Sequence, residues 1–150
     1  MDCMLANRGA RAACENRAVT RFYSIYQANA RLRDLGPTLH KLKADRDAVA
    51  DAQRELVRFR ATNGNRRHAE DLKTREDGIR DLVFRMERYV AQIVAWDVTL
   101  RDIETGLVDF PALVNGRQVC LCWRFGEDAV SWWHELDAGF PGRKPLIEMT

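Results

Sequence analysis

No apolar run in this sequence approaches the ~20 residues that span a bilayer, and its first residues hold no hydrophobic stretch long enough for a secretory signal. Both absences point to a soluble protein of the cytoplasm. Cysteine is sparse. Cys3, Cys14, Cys120 and Cys122 are the four present, and neither pair has zinc-finger or redox Cys-x-x-Cys spacing. Two residues apart on one strand, Cys120 and Cys122 make poor disulfide partners, so a reducing compartment fits them better than a secreted one. Lysine is scarce too, four against twenty arginines. The arginines interleave with carboxylates instead of clustering, which reads as the coding bias of a GC-rich genome on a solvated surface, not as a phosphate-binding patch.

What is present is an ordinary globular composition. Hydrophobic residues make up 46% and charged residues 31% of 150 residues, enough for one domain with a core. The net charge of +2 divides unevenly: +3 over residues 1–37, +3 over 38–95 and −4 over 96–150. An acidic C-terminal third makes nucleic acid an unlikely partner. Residues 1–21, rich in Ala and Arg, are expected to form a flexible extension. Residues 22–150 form a single domain: a helical hairpin over 22–95 and an aromatic module over 96–150.

Helical periodicity begins near Ser24. Ile25, Leu32 and Leu39 recur every seven residues, with Ala28, Leu35 and Leu42 alongside. Pro37 interrupts the row, and proline either opens a helix or kinks one. The pattern therefore predicts a short helix, a bend at Gly36-Pro37 and a long helix to about Ala61. Val49, Leu56, Ala52 and Phe59 continue the stripe, but the polar seam residues Arg46, Gln53 and Arg60 suit a mixed bundle better than a coiled-coil zipper. Asn63-Gly64-Asn65 ends the helix. A second helix, about Ala69 to Ala95, carries Leu72, Ile79, Met86 and Ile93, with Leu82, Tyr89 and Trp96 beside them. Its apolar face is wider than one partner helix needs, which predicts self-association, most simply a homodimer. Asp71–Arg75 and Asp81–Arg85 have the four-residue spacing of ion pairs on its outer face. Gly78 stands mid-helix with no evident reason.

Beyond Trp96 the helical period ceases. Val98 to Ile103 could form a short strand. Asn115-Gly116 is the favoured type I′ hairpin turn, and it pairs Val114 with Arg117, Ala112 with Val119, Phe110 with Leu121, and Val108 with Trp123. The last three pairs are apolar and share a face, so a slip by one residue would destroy the pattern. On the other face Asp109 lies opposite Cys122 and diagonal to Arg124, close enough for an ion pair. Pro111 cannot donate to a ladder, so its strand should be an edge or irregular. Residues 128–137 read as a helix with Ala129, Trp132, Trp133 and Leu136 on its apolar face and His134 one turn from Asp137. Gly139 would stop it, and 140–145 would be loop. The fold class is thus α+β, mainly α: a long antiparallel helical hairpin with a C-terminal β-hairpin and short helix.

Several of these residues carry a resemblance. Asp102-Ile-Glu-Thr-Gly-Leu-Val-Asp-Phe-Pro111, Asn115-Gly-Arg117, Leu121-Cys-Trp-Arg124 and Trp133-His-Glu-Leu-Asp-Ala-Gly-Phe140, with Gly142-Arg143 behind, resemble the bacterial family catalogued as domain of unknown function 2203. Phe22 to Leu35, with Gln27-Ala-Asn29, is similar to that family's start, although Tyr23-Ser24-Ile25-Tyr26 departs from its threonine-and-acid opening. The resemblance covers about residues 22–146. It implies a cytoplasmic bacterial protein and no particular activity.

Candidate ligand-binding residues are Asp109, Arg124, His134, Asp137 and Arg143. His134 with Asp137 could form an oriented base, although a buried histidine satisfied by a neighbour uses the same residues. Cys120 and Cys122 are weak metal candidates, and a Cys122 nucleophile suffers because Asp109 opposite it raises the thiol pKa. Asp97, Asp102, Glu104 and Asp109 could hold a divalent cation, though loop acids are usually only solvated. Gly142-Arg143-Lys144 could hold an anion. No cofactor is specified and no catalytic residue is fixed. The extended hairpin, whose second-helix face needs more cover than one helix provides, favours a non-enzymatic, oligomerising interaction or structural module; the density of Asp, Arg, Cys, His and Trp in the C-terminal module supports the alternative, a small-ligand or metal site, possibly enzymatic.

Overall fold

The computed structural model describes residues 21–62, 64 and 66–149. All but Arg21 of the expected extension, and the turn residues Asn63 and Asn65, lie outside the described residues. Helix α1 runs Ile25–Arg60 and helix α2 Arg66–Ala95, packed as an antiparallel hairpin. Ser24 caps α1. Its hydroxyl accepts the Gln27 N–H at 3.1 Å, and the Gln27 side chain accepts the Ser24 N–H at 2.9 Å, a reciprocal capping box.

The bend expected at Gly36-Pro37 does not divide α1, which continues through Pro37 as one helix. Proline deletes the bond to the Arg33 carbonyl, but Leu35 and Leu39 on either side are fully buried. Breaking the helix would pull one of them from the core, about 2 kcal/mol or more. The Thr38 hydroxyl also donates to the Asp34 carbonyl at 2.9 Å.

Neither expected ion pair on the outer face of α2 forms as read. Arg85 reaches across the hairpin to Asp45, donating twice, at 2.6 and 2.5 Å. Arg75 lies over the Phe59 ring at 4.4 Å. A second helix offered partners that spacing along one helix cannot reveal.

Five strands follow: β1 Thr99–Asp102, β2 Leu107–Val114, β3 Arg117–Trp123, β4 Trp132–Glu135 and β5 Lys144–Pro145, an antiparallel sheet in sequence order. The hairpin register is the one that Asn115-Gly116 dictates, with Phe110 opposite Leu121, and both turn residues have positive φ (51° and 79°) as type I′ demands. Pro111 lies beyond the end of β1, where β2 is an edge. Its carbonyl accepts the Tyr23 N–H at 2.7 Å on that side. In a strand, N and C=O of one residue point the same way, so the missing N–H faces away from β3 and costs the hairpin nothing.

The helix expected over 128–137 is absent. Trp132–Glu135 is a strand paired with β3; the single-turn 3₁₀ helix Phe140–Gly142 and strand β5 stand where loop was expected over 140–145, and a second such turn, Leu146–Glu148, follows. Four aromatic and polar residues fit either period locally. Pairing decides the matter, because β3 would otherwise present an unpaired edge. Val108, Phe110, Val119, Leu121 and Trp133 then form one core with Leu35, Leu39, Leu42 and Ile93 of the helices. Tyr23 closes it, its ring edge-on to Phe110 at 5.1 Å and its hydroxyl donating to the Trp96 carbonyl at 2.5 Å. Tyr89 and Trp96 pack against this core, so most of the width at Leu82, Tyr89 and Trp96 that suggested self-association is used within the chain.

Candidate functional site

The sheet's second face is polar by alternation. Asp109 on β2, Cys120 and Cys122 on β3 and His134 on β4 all point to it. His134 thus meets Asp109, with Nε2 2.9 Å from Oδ1, but as a strand residue and not from a helix. A fourth member comes from β1. The register shifts between Leu100 and Asp102, and this bulge aims Arg101 at Asp109, Nε to Oδ2 at 2.7 Å. His134 and Cys122 are wholly buried and Asp109 is 2% exposed.

Hydrogen-bond accounting constrains the protonation of this cluster. The other nitrogen of His134, Nδ1, lies 2.7 Å from the Glu135 carbonyl oxygen, which can only accept. Both ring nitrogens therefore face acceptors. Without a cation between them, Nε2 and the Asp109 carboxylate need a shared proton. Burial alone would raise the Asp109 pKa, but the bond and charge of His134 and the Arg101 guanidinium outweigh it and hold the carboxyl below its usual range. Burial likewise disfavours imidazolium, yet the Asp109 carboxylate and the Glu135 carbonyl raise the His134 pKa overall. The proton belongs to the histidine. Burial, then the Asp109 charge, push the Cys122 thiol far above its ordinary value, the direction that its place opposite Asp109 predicts.

Of the remaining candidates, Arg124 and Arg143 lie elsewhere, and Asp137 lines a cleft that reaches Asp109. Arg124 does not pair with Asp109. It sits 3.7 Å from Glu127 and 5.2 Å over the Phe140 ring. Arg143 donates to both Glu127 oxygens at 2.5 and 2.8 Å and stacks on Trp132 and Phe140, so a carboxylate occupies the proposed anion holder. Asp137 lines a cleft of about 520 Å³ with Arg101, Asp102, Asp109, Leu136 and Phe140, its acids outnumbering its one arginine. The four acids proposed for a divalent cation do not converge. Asp97 ends α2 in a left-handed conformation (φ 59°), Asp102 accepts from the Thr105 hydroxyl and N–H, and Glu104 lies 3.9 Å from Arg46. Burial opposes ionisation of Asp102, but the Thr105 bonds overcome it and lower its pKa. Arg101 is the member that the sequence reading missed. Pairing Val98–Ile103 with the hairpin would have found it.

The chain belongs to the family of uncharacterized conserved proteins DUF2203, whose sequence profile matches residues 21–146. No curated protein and no solved structure matches it. No described helix is long and apolar enough to cross a membrane.

Proposed function

We propose that this DUF2203 protein is a non-enzymatic interaction module of a reducing, cytoplasmic compartment that pairs with a second copy of itself through the helical arm. The observation that carries the reading is the exposure of α2. Of its thirty residues only Ile93 is buried, although its apolar spacing is that of a packed helix. Ile79, Val83, Val90 and Val94, four or seven residues apart in succession, share a stripe; Val90 packs on the core, and Val83 and Val94 are exposed. On α1 the sheet reaches as far as Arg46, which meets Glu104. The same face continues past the sheet as Gln53, Val57 and Arg60, and a groove there is lined by Leu56, Val57 and Ile79 with the Arg60–Glu76 pair across it. Val57 is 66% exposed. Charges of both signs border the stripe, among them Glu87 and the pairs Arg60–Glu76 and Arg80–Asp77. A two-fold contact, which brings a patch against itself, can match those charges. The metal-free cluster supports a non-enzymatic role, because burial and the Asp109 charge raise the Cys122 thiol pKa and both nitrogens of His134 face acceptors within the fold.

Val57→Asp with Val83→Asp tests the reading. Both positions are solvent-facing, so the double variant should keep the wild-type circular dichroism and melt while running as a monomer. A double variant that keeps the wild-type assembly overturns the proposal. The acidic cleft beside Asp109 favours a second reading, a small cationic ligand held by Asp102, Asp109 and Asp137.

A further inference from the structure

We propose that Asp109, Cys122 and His134 form a binding site for one divalent transition-metal ion of the zinc class. The three side chains come from three adjacent strands and are buried, and their ligand atoms all lie within 4.8 Å of one another. They supply one oxygen, one sulfur and one nitrogen, a donor set that suits a borderline-soft ion and discriminates against magnesium and calcium.

The hydrogen-bond geometry of the cluster also suits a metal, because both ring nitrogens of His134 face acceptors. Nε2 of His134 faces the Asp109 carboxylate while Nδ1 is held by the Glu135 carbonyl. A backbone carbonyl that fixes Nδ1–H and leaves Nε2 as the donor is the usual second-layer support of a metal-bound histidine. With no metal, the cluster comprises an aspartate, a neutral thiol, an imidazolium and the Arg101 guanidinium, a net charge of one positive unit. A divalent ion would enter as the Cys122 proton and the His134 Nε2 proton leave to solvent. Thiolate, neutral imidazole, aspartate, guanidinium and dication again sum to one positive unit. The exchange thus changes no net buried charge, and the protons leave by simple acid–base exchange with no redox partner.

Binding requires a local rearrangement of three ligand atoms that now lie within 4.8 Å of one another. Tetrahedral ligands at about 2.0–2.3 Å from an ion are about 3.3–3.7 Å apart, so Nε2 and Oδ1, now 2.9 Å apart, must separate by a few tenths of an ångström. Asp109 also lines the acidic cleft, which offers a route of entry and a fourth ligand from solvent. Arg101 on Oδ2 leaves Oδ1 as the coordinating oxygen.

The test uses the full chain with Cys3→Ser and Cys14→Ser, which removes the thiols outside the described residues. The chain is stripped with chelator, then titrated with zinc and, separately, with cobalt. The expected result is one zinc per chain, a higher melting temperature with zinc, and a cobalt spectrum with thiolate charge-transfer absorption. Cys122→Ser should abolish that absorption, Cys120→Ser should retain it, and His134→Gln should weaken binding by more than about tenfold. If either site variant fails to fold, the wild-type stoichiometry, melt and cobalt spectrum decide alone. A folded wild-type chain that takes up no zinc, or a cobalt–thiolate band that survives Cys122→Ser, overturns the proposal.

Discussion

Asp109 bears three demands at once: it accepts from Arg101, neutralises His134 and lies opposite the Cys122 thiol. Replacing it by alanine would strand a guanidinium and an imidazolium in the core. Asp109→Ala should cost about 3 kcal/mol or more in the metal-free protein, read as a lower denaturant midpoint. A loss within the range of surface substitutions would mean that the cluster is solvated. Gly78 is the opposite case. A Cβ built there meets nothing within 4 Å, and the residue lies in regular helix. Gly78→Ala should raise stability by about 0.5–1 kcal/mol by restricting the unfolded chain; a loss would show that the helix needs a close approach there.

Between elements, two contacts lock the hairpin and join it to the sheet. Tyr23 links Trp96 at the end of α2 to Pro111 on β2. Tyr23→Phe keeps the ring against Phe110 and removes one hydrogen bond, so chemical denaturation should show a loss of about 1 kcal/mol. The Asp45–Arg85 pair clasps the helices. Its two hydrogen bonds, and then the Arg85 charge, hold the Asp45 pKa below its ordinary value despite burial. A carboxyl depressed by folding stabilises above its unfolded pKa and loses that contribution as pH falls through the folded one. Stability should therefore decline below about pH 4, and the decline should be shallower in Asp45→Asn; identical acid profiles would remove Asp45 from the account. The elements differ in how openly the sequence declared them. The β2–β3 register was legible because a two-residue turn and a period of two overdetermine it. The capping box of Ser24 and Gln27 is legible in Ser-x-x-Gln, even though Tyr23-Ser24-Ile25-Tyr26 departs from the family's threonine-and-acid opening. Strand β4 was not legible, because Trp-Trp-His-Glu is too short to show a period and only β3's need for a partner decides it. Asp109 and His134 could be named as candidates from the hairpin alone, while Arg101 needed the further step of pairing β1 with β2.

At the scale of the whole molecule, the chain is unevenly covered. The sheet buries the hairpin end that carries Leu35, Leu39, Leu42 and Ile93, and the arm beyond Arg46 has only the other helix for company. An apolar stripe along the exposed part of a 30-residue helix, about 45 Å long at 1.5 Å per residue, asks for a surface of matching length. The proposed second copy would supply one. The buried cluster and the arm lie in different parts of the fold, so metal uptake and pairing can be measured separately. The most direct test of the arm's role is the solution mass of the unmodified chain, taken by light scattering across a micromolar concentration series. The account predicts twice 17.3 kDa, insensitive to salt because apolar contact drives the pairing. A mass of 17.3 kDa at every concentration would contradict it.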